Sequence, residues 1–316
     1  MNAALPTLAQ VRDAAARIAP HAVVTPVLRS AALDELAGAA LHFKCENLQR
    51  GGAFKFRGAC NAVWSLTDEE AARGVVTHSS GNHGNALALA AATRGIRAHV
   101  VVPEGAVRAK LDAIARAGGM LHRCAPTQAA REAMCAEVQA QTGAALVHPY
   151  ADARVMAGQG TIALELLRQV PELDALITPV GGGGLAAGVA IAAHALRPEL
   201  ALFGAEPAGA DDAARSLAAG ARVAGMMSDT LCDGLRALVG EPNLAALHAQ
   251  RVEVITVSDA ETIAAMRLLW GELKQVVEVS SATVLAAILK QPQRFAGRRV
   301  GLVLTGGNVD LDALPW

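Results

Sequence analysis

The chain has 316 residues, of which 53% are hydrophobic and 18% are charged, and its formal net charge at pH 7 is -1. This composition supplies a large buried core, in one large or two modest domains, and it excludes a disordered chain. The balanced charge argues against a nucleic acid or an anionic membrane as partner, because such partners normally require a basic excess. We therefore expect a globular protein that binds a small molecule.

The cysteines and the N-terminus indicate the compartment. An odd number of cysteines without a C-x-x-C pair indicates neither a disulfide framework nor a thiolate metal site. Residues 1–20 lack the basic-then-apolar order of a secretory signal, and the sequence has no apolar run of about 18 residues that would predict a membrane span. We expect a cytoplasmic protein. The five cysteines are Cys45, Cys60, Cys124, Cys135 and Cys232.

Short apolar runs alternate along the chain with alanine-rich amphipathic stretches. A strand followed by a helix, repeated several times, predicts an α/β fold in which parallel sheets carry helices on both faces. No break in composition separates two sequential domains. The predicted strands are 75–78, 98–102, 144–147, 174–178 and 300–304. One predicted helix starts at 85, and three others span about 106–117, 153–169 and 184–195.

A loop rich in polar residues and glycine follows the first of these strands, over residues 79–84. It contains two serines, two glycines, an asparagine and a histidine. Backbone N–H groups at the start of the next helix, together with these side chains, form a receptor for a carboxylate. The alternative is a capped helix after a tight turn, but the loop has more polar residues than capping needs.

Four consecutive glycines, Gly181, Gly182, Gly183 and Gly184, follow another apolar strand. Glycines let several backbone amides approach an anion closely, and the dipole of the following helix adds to the attraction. The run is not a Walker loop, because no Gly-Lys-Ser/Thr follows, and it meets the dinucleotide spacing only through its abundance of glycine. A phosphate site is therefore favoured over a flexible turn.

Lys55 lies between Phe54 and Phe56 in a chain with only five phenylalanines. An apolar setting lowers the pKa of a lysine and so frees its nucleophilic amine, whereas an arbitrary lysine is a surface residue. A lysine that can form an imine and a separate phosphate loop are the two attachments that pyridoxal phosphate requires. The competing class is a nucleotide-binding module that makes no use of lysine chemistry.

Several motifs, in order and spacing from about residue 20 to 312, resemble the serine/threonine dehydratase and serine racemase family. This resemblance implies fold type II of the pyridoxal phosphate enzymes (tryptophan synthase β-like), with two open parallel sheets and the cofactor in the cleft between domains. It also implies a small domain at 68–149, inserted into a large domain of 1–67 and 150–316, and a homodimer. The motifs are 44–49, 54–59, 79–84, 158–161, 181–184 and 305–308.

The resemblance assigns the cofactor contacts. Lys55 would bind the cofactor covalently and then remove the α-proton of the substrate. Phe54 would cover one face of the ring, Asn82 would bind the ring hydroxyl, and the glycine loop 181–184 would bind the phosphate. Thr305 would meet the pyridine nitrogen with a neutral hydroxyl, which weakens the electron sink and favours β-elimination.

The resemblance also assigns the substrate contacts. Ser79, Asn82 and His83 would receive the α-carboxylate. Ser80 resembles the acid/base serine that serine racemases place opposite the lysine, so its presence permits racemisation without proving it.

The expected reaction is dehydration of an L-β-hydroxy amino acid (threonine, serine or a 3-hydroxyaspartate type) to a 2-oxo acid and ammonia, with a serine- or aspartate-type racemase as the alternative. Ala53 stands where the family usually has serine, which weakens a plain L-threonine assignment. Arg131 aligns with an arginine that reaches the second carboxylate of dicarboxylic ligands, and a guanidinium suits that task. Its alternative is an exposed helix arginine paired with Glu132 or a turn.

The resemblance further implies a divalent cation at an acidic turn. Glu206 and Asp212 would contribute carboxylates and Ala210 its carbonyl oxygen, a set that suits Mg²⁺, Mn²⁺ or Ca²⁺. The alternative is an acidic turn that caps the next helix.

Overall fold

The computed structural model describes residues 5–316. Its strands are β1 (Val27–Leu28), β2 (Ala40–Cys45), β3 (Val75–His78), β4 (Ala98–Pro103), β5 (Gly119–Cys124), β6 (Ala145–Leu146), β7 (Ala175–Pro179), β8 (Ala201–Pro207), β9 (Glu253–Val257) and β10 (Arg299–Leu304).

The helices of the described residues connect and cover these strands. They are α1 (Leu8–Ile18), α2 (Ala31–Ala37), α3 (Lys55–Trp64), α4 (Asp68–Arg73), α5 (Asn82–Arg94), α6 (Arg108–Arg116), α7 (Gln128–Thr142), α8 (Ala153–Gln169), α9 (Gly184–Leu196), α10 (Asp212–Ala219), α11 (Glu241–Ala249), α12 (Asp259–Glu272) and α13 (Val279–Lys290).

The larger sheet has six strands in the order β1-β2-β10-β7-β8-β9. All neighbouring pairs are parallel except β1 with β2. Helices α2, α12 and α13 cover one face, and α1, α8 and α9 cover the other. Because β7 and β10 are neighbours, the segments that follow them, from Val180 and from Thr305, leave the sheet at the same edge.

The smaller sheet has four strands in the order β5-β4-β3-β6, all parallel. Helices α3, α5 and α6 pack on one face, and α7 packs on the other. All four strands lie within 68–149, the range predicted for the inserted domain. The predicted α/β class, with helices on both faces of parallel sheets, is confirmed.

Every predicted element is present in the structure, and the bounds differ by up to three residues. The strand 75–78 and the helix 153–169 have the predicted bounds, but α5 begins at Asn82 rather than at Asn85. Its N-cap is Gly81, which makes no side-chain capping hydrogen bond, so the serines before it do not close the helix end. As a result, residues 82–84 form the first turn of the helix.

Two further observations concern surface and compartment. No helix within residues 5–316 combines the length and the apolar character needed to cross a membrane. All five cysteines are free and buried.

Candidate active site

Lys55 is the first residue of α3, and neighbouring backbone contacts fix its position. The N–H of Phe54 donates to the carbonyl oxygen of Thr305 at 2.9 Å, and Ala53 forms a β-bridge with Gly306. The Nζ of Lys55 donates to the carbonyl oxygen of Pro149 at 3.0 Å. The lysine motif therefore lies directly beside the segment after β10, as the predicted shared role of Lys55 and Thr305 requires.

Desolvation lowers the pKa of Lys55 to about 8, against the opposing charge of the Glu278 carboxylate. The expectation of a lowered pKa from the flanking phenylalanines has the right sign, but only one of them touches the amine. The Nζ lies 5.0 Å from the centre of the Phe54 ring, whereas Phe56 is fully buried in the core beneath the smaller sheet. A lysine with this pKa has a substantial neutral fraction near neutral pH.

The glycine loop 181–184 presents unpaired backbone donors. Residues 181–186 are all buried, yet within the described chain their N–H groups have no acceptor, and the first backbone bond of α9 runs from Ala187 to Gly183. Buried N–H groups without partners are rare in proteins. An anion that accepts from them, such as a phosphate, would satisfy the loop.

Two side chains that sequence reasoning missed support this loop. The Tyr150 ring lies against it so closely that a Cβ on Gly182 would overlap the ring. Asn243, fully buried on α11, donates from Nδ2 to the carbonyl oxygens of both Gly182 and Tyr150. The loop is thus joined to the segment that carries Pro149, the partner of Lys55.

The side chain of Asn82 lies in a hydrogen-bonded chain with Glu278 and Asn308. Its Nδ2 donates to both carboxylate oxygens of Glu278 at 3.0 Å, and its Oδ1 accepts from Asn308 Nδ2 at 2.9 Å. Burial raises the pKa of Glu278 to about 7. Sequence reasoning did not single out Glu278, because nothing local distinguishes it from a residue that precedes a helix.

The residues predicted to receive the α-carboxylate lie at the start of α5. The N–H groups of residues 82–84 have no acceptor within the described chain, and Ser79 and Ser80 are half-buried. The imidazole of His83 does not fit the predicted role. Its Nε2 lies 3.2 Å from the carbonyl oxygen of Val147, so this nitrogen carries the proton and donates, which leaves Nδ1 as a buried acceptor. An acceptor repels a carboxylate, and only the backbone N–H of His83 can contribute.

A pair of histidines, His78 and His148, lies near the lysine. His148 Nδ1 accepts from the N–H groups of Tyr150 and Ala151, at 3.3 and 3.0 Å, so its proton lies on Nε2. The ring packs edge-on against His78 and Tyr150, with centres 5.3 and 4.6 Å apart. Burial lowers the pKa of His148 to about 4, and it lowers the pKa of His83 well below the usual value. These imidazoles are neutral, so they add no charge beside Lys55.

Thr305 and Arg131 have polar groups that the described residues leave wholly or mostly without hydrogen-bond partners. Thr305 is almost fully buried, and its hydroxyl has no hydrogen bond within residues 5–316. Arg131 is half-buried on α7, and its guanidinium makes one long contact, from Nε to the carbonyl oxygen of Thr127 at 3.4 Å. The expected alternative partner, Glu132, instead accepts from Gln128. The charge of Arg131 lowers the pKa of His78, after the larger effect of burial, and the charge of Glu132 opposes it, so both charges lie near His78.

The acidic turn caps a helix. The two carboxylate oxygens of Glu206 accept from the N–H groups of Ala213 and Ala214 at 3.0 and 2.9 Å, and Asp212 Oδ2 accepts from Val239 at 2.7 Å. Burial raises the pKa of Glu206 to about 8 and also raises that of Asp212. Within residues 5–316 no group of three or more His, Cys, Asp or Glu side chains could hold a metal. The predicted set depends instead on two carboxylates and the carbonyl of Ala210.

The described residues fit pyridoxal phosphate. A lysine of lowered pKa lies beside an unsatisfied threonine hydroxyl, and a separate glycine loop presents buried donors without acceptors. These groups would supply the covalent, ring-nitrogen and phosphate attachments of the cofactor.

The family model of the pyridoxal-phosphate dependent enzymes matches residues 18–306. The chain therefore belongs to the pyridoxal phosphate dependent enzymes, of fold type II, and to their group of serine/threonine dehydratases and serine racemases. It is 50% identical to a β-hydroxyaspartate dehydratase of Paracoccus denitrificans, over 99% of both chains. It is 48% identical to a serine racemase of Arabidopsis thaliana, over 96% of this chain and 93% of that one.

A solved structure gives the same result for the fold. The structure of maize serine racemase superimposes with a TM-score of 0.95 at 42% identity, covering 98% of this chain and 95% of the other. The predicted family and fold type are confirmed.

Proposed function

We propose that this chain is a pyridoxal phosphate dependent dehydratase that converts a β-hydroxy amino acid of the 3-hydroxyaspartate type to a 2-oxo acid and ammonia. The observation that carries the choice of substrate is the unsatisfied guanidinium of Arg131 beside the histidine pair. Similarity to a β-hydroxyaspartate dehydratase, at 50% identity over almost the whole chain, supports it.

When bound, the cofactor supplies a sink for the electrons of the broken Cα–H bond. Lys55 removes that proton onto Nζ, which requires the neutral amine that its lowered pKa provides. The proton held on Lys55 is then available to the β-hydroxyl, which takes it up and leaves as water. The released enamine reacts with water to give the 2-oxo acid and ammonia, which balances the overall reaction.

The α-carboxylate has a receptor at the start of α5. The unpaired N–H groups of residues 82–84 and the hydroxyl of Ser79 would donate to it, helped by the positive end of the helix dipole. Ring contacts fall to Phe54 and Asn82. The Nδ2 of Asn82 is the only donor on that side chain, and its orientation is fixed by Glu278.

The substrate assignment is tested by comparing Arg131→Ala with the wild type on two substrates. A charge-assisted hydrogen bond contributes about 1.5–3 kcal/mol, so we expect KM for L-threo- or L-erythro-3-hydroxyaspartate to rise roughly 10- to 100-fold. The kinetics with L-serine should change less than about threefold, because that substrate has no second carboxylate. Arg123→Ala, an exposed arginine on β5, is the control. Equal losses on both substrates would contradict the assignment.

Racemisation is the second candidate, and one observation favours it. Ser80 is half-buried, and its hydroxyl has no hydrogen bond within the described chain. A panel of L-serine, L-threonine and 3-hydroxyaspartate, scored for both 2-oxo acid and enantiomer, separates the reactions. Rapid formation of D-serine with negligible 2-oxo acid would reverse the order of the two proposals, and Ser80→Ala should then abolish racemisation selectively.

Covalent attachment at Lys55 separates the enzyme from a nucleotide-binding module. We expect visible absorbance in the purified protein, fixation of the cofactor on Lys55 by borohydride, and loss of both turnover and fixation in Lys55→Ala. A colourless protein that binds a nucleotide would overturn the enzyme assignment.

A divalent cation at Glu206, Ala210 and Asp212 is a further part of the proposal. Burial raises the pKa of both carboxylic acids because it disfavours their ionised forms, and a bound cation would stabilise those forms. We expect a chelator to lower the melting temperature and added Mg²⁺ to restore it, with no such response in Glu206→Gln. If neither treatment changes melting or turnover, the turn is only a helix cap.

Compartment and assembly complete the proposal. Five free thiols agree with a reducing cytoplasm, and family resemblance favours a homodimer. Light scattering of the holoenzyme tests the latter, and a monomeric mass would exclude it.

A further inference from the structure

Arg57, two residues after Lys55, belongs to a buried cluster of four charged side chains. Its cations are Lys44 and Arg57, and its carboxylates are Glu46 and Glu165, so the cluster is neutral overall. The side chains of Lys44, Glu46 and Arg57 are fully buried, and that of Glu165 is 15% exposed. Within the described residues none of the four side chains makes a hydrogen bond to a side chain among the cofactor contacts above, although the backbone N–H of Arg57 donates to the carbonyl oxygen of Phe54 at 3.0 Å.

Arg57 is the centre of the cluster. Its guanidinium binds Glu46 through Nε and Nη2, at 2.7 and 2.8 Å, and Glu165 through Nη1 and Nη2, at 2.7 and 2.8 Å. The remaining contacts go to Thr161 Oγ1 and the carbonyl oxygen of Val23, both at 3.2 Å. Two two-point contacts fix a planar guanidinium in position and in orientation.

Lys44 completes the hydrogen bonding of the cluster. Its Nζ donates to Glu165 Oε2 at 2.6 Å, to Gln169 Oε1 at 3.0 Å and to the carbonyl oxygen of Thr25 at 2.8 Å. All three protons of the ammonium are therefore used. The cluster connects the strand β2, the helix α8 and the N-terminal segment before β1.

Stability does not explain such a cluster. Desolvating four charges costs several kcal/mol per ion, and replacing buried ion pairs by apolar side chains of similar volume is often neutral or stabilising. The local structure of α3 offers another explanation. Lys55 and Arg57 are both in the first turn of α3, and this turn has no side-chain cap, because its N-cap is Phe54.

We propose that Arg57 is a positioning residue for Lys55. By binding carboxylates on two separate elements, the residue that follows β2 and the C-terminal half of α8, it fixes the first turn of α3 in place of a cap. A hydrogen bond from the N–H of Gly58 to Gln159 Oε1, at 3.1 Å, holds the same turn against α8. The amine of Lys55 is thereby held within reach of Pro149 and, in the loaded enzyme, of the substrate.

The test is the double variant Arg57→Met/Glu46→Met. It replaces one cation and one anion by apolar side chains of broadly similar volume. The neutral pair Lys44–Glu165 remains. The control Arg299→Met/Asp174→Asn removes a partly exposed ion pair between the first residue of β10 and the residue before β7. This pair lies at the start of both strands, whereas the site lies beyond their carboxyl ends. We expect the melting temperature of the test variant to be unchanged or higher. Its kcat should fall by about 100-fold, the effect of misplacing a catalytic group by about 1 Å, with KM within about threefold.

A second measurement needs neither substrate nor cofactor. The inference rests on the proposed role of Lys55 as base. To observe the lysine independently of activity, its amine-reactive labelling is measured against pH in cofactor-free protein. A loosened lysine is better hydrated, and we expect its labelling midpoint to rise from about 8 by about one pH unit. If the midpoint rises and the wild type has no dehydratase activity, the proposed function fails and the positioning role stands.

The outcome that overturns the proposal is a stably folded double variant with unchanged kcat and unchanged midpoint. If this variant does not fold, Arg57→Lys decides, because it keeps the charge balance but loses the two-point contacts. A folded Arg57→Lys with about tenfold lower kcat supports the proposal. A folded Arg57→Lys with full kcat, or failure of both variants to fold, assigns the cluster to the fold alone.

Discussion

The side-chain amide of Asn82 donates to both carboxylate oxygens of Glu278, at 3.0 Å each, although 196 residues separate the two in sequence. Asn82 begins α5 beside the smaller sheet, and Glu278 is the N-cap of α13 on the larger one. The contact therefore connects the two sheets at the site of Lys55, and it sets which end of the Asn82 amide is the donor.

Replacing Glu278 by glutamine should lower the pKa of Lys55 further. The carboxylate opposes the effect of burial on the lysine, so its removal leaves desolvation unopposed. We expect the labelling midpoint of Lys55 in cofactor-free protein to fall below about 8, while the glutamine oxygen still accepts from Asn82. Glu104→Gln, an exposed residue, serves as control. An unchanged midpoint would show that Glu278 does not act on the lysine.

His148 should make the folded chain less stable as the pH falls. Its pKa is about 4 in the folded chain against 6.5 for an ordinary histidine, so between these values the unfolded chain binds a proton that the folded chain does not. Stability contributed by the neutral ring is therefore present above about 6.5 and is lost as the pH falls towards 4. In His148→Asn, the melting temperature should depend less steeply on pH in this window. Part of the slope should persist, because His78 and His83 remain and act in the same direction. Equal slopes in the variant and the wild type would contradict the assignment to His148.

Adding a methyl group at Gly182 should disturb the phosphate loop through Tyr150. The new Cβ would overlap the Tyr150 ring, and such overpacking costs about 1–3 kcal/mol. We expect Gly182→Ala to lower both the melting temperature and the affinity for pyridoxal phosphate, measured by absorbance titration. Gly182→Ala/Tyr150→Ala should recover part of the affinity. Gly271→Ala, on α12 with open space around it, should be neutral or stabilising by up to about 1 kcal/mol.

Asn243 should be required to hold the glycine loop 181–184 against the Tyr150 segment. Asn243→Leu leaves the carbonyl oxygen of Tyr150 without its donor, and a buried polar group left unpaired costs about 1–3 kcal/mol. We expect weaker binding of pyridoxal phosphate and a lower free energy of unfolding in denaturant titrations. Wild-type affinity in this variant would show that the tie between the two segments is dispensable.

The local patterns that can be seen in the sequence determined the class of fold and the position of the motifs. Apolar runs of strand length, each followed by an amphipathic helix, predict parallel sheets without any knowledge of partners. Because ligands bind beyond the carboxyl ends of such strands, the loops that begin at Ser79 and Gly181 were interpreted as ligand sites, and the family resemblance added Thr305 to the contacts of Lys55. The contact between Phe54 and Thr305 agrees with that prediction for the lysine motif.

Side-chain roles that depend on distant partners were decided only by the tertiary structure. Glu278 and Arg57 look like an ordinary helix cap and an ordinary surface charge, since a charged residue is buried only when a partner elsewhere compensates it. The partner of Glu278 lies 196 residues away, and of the two carboxylate partners of Arg57 one lies 11 residues away and the other 108. His83 shows the same limit: its motif fixed where its backbone lies, but the carbonyl of Val147 fixed the direction of its ring. Hydrogen bonds and charge compensation act through space, and the sequence records only the residue types that can make them.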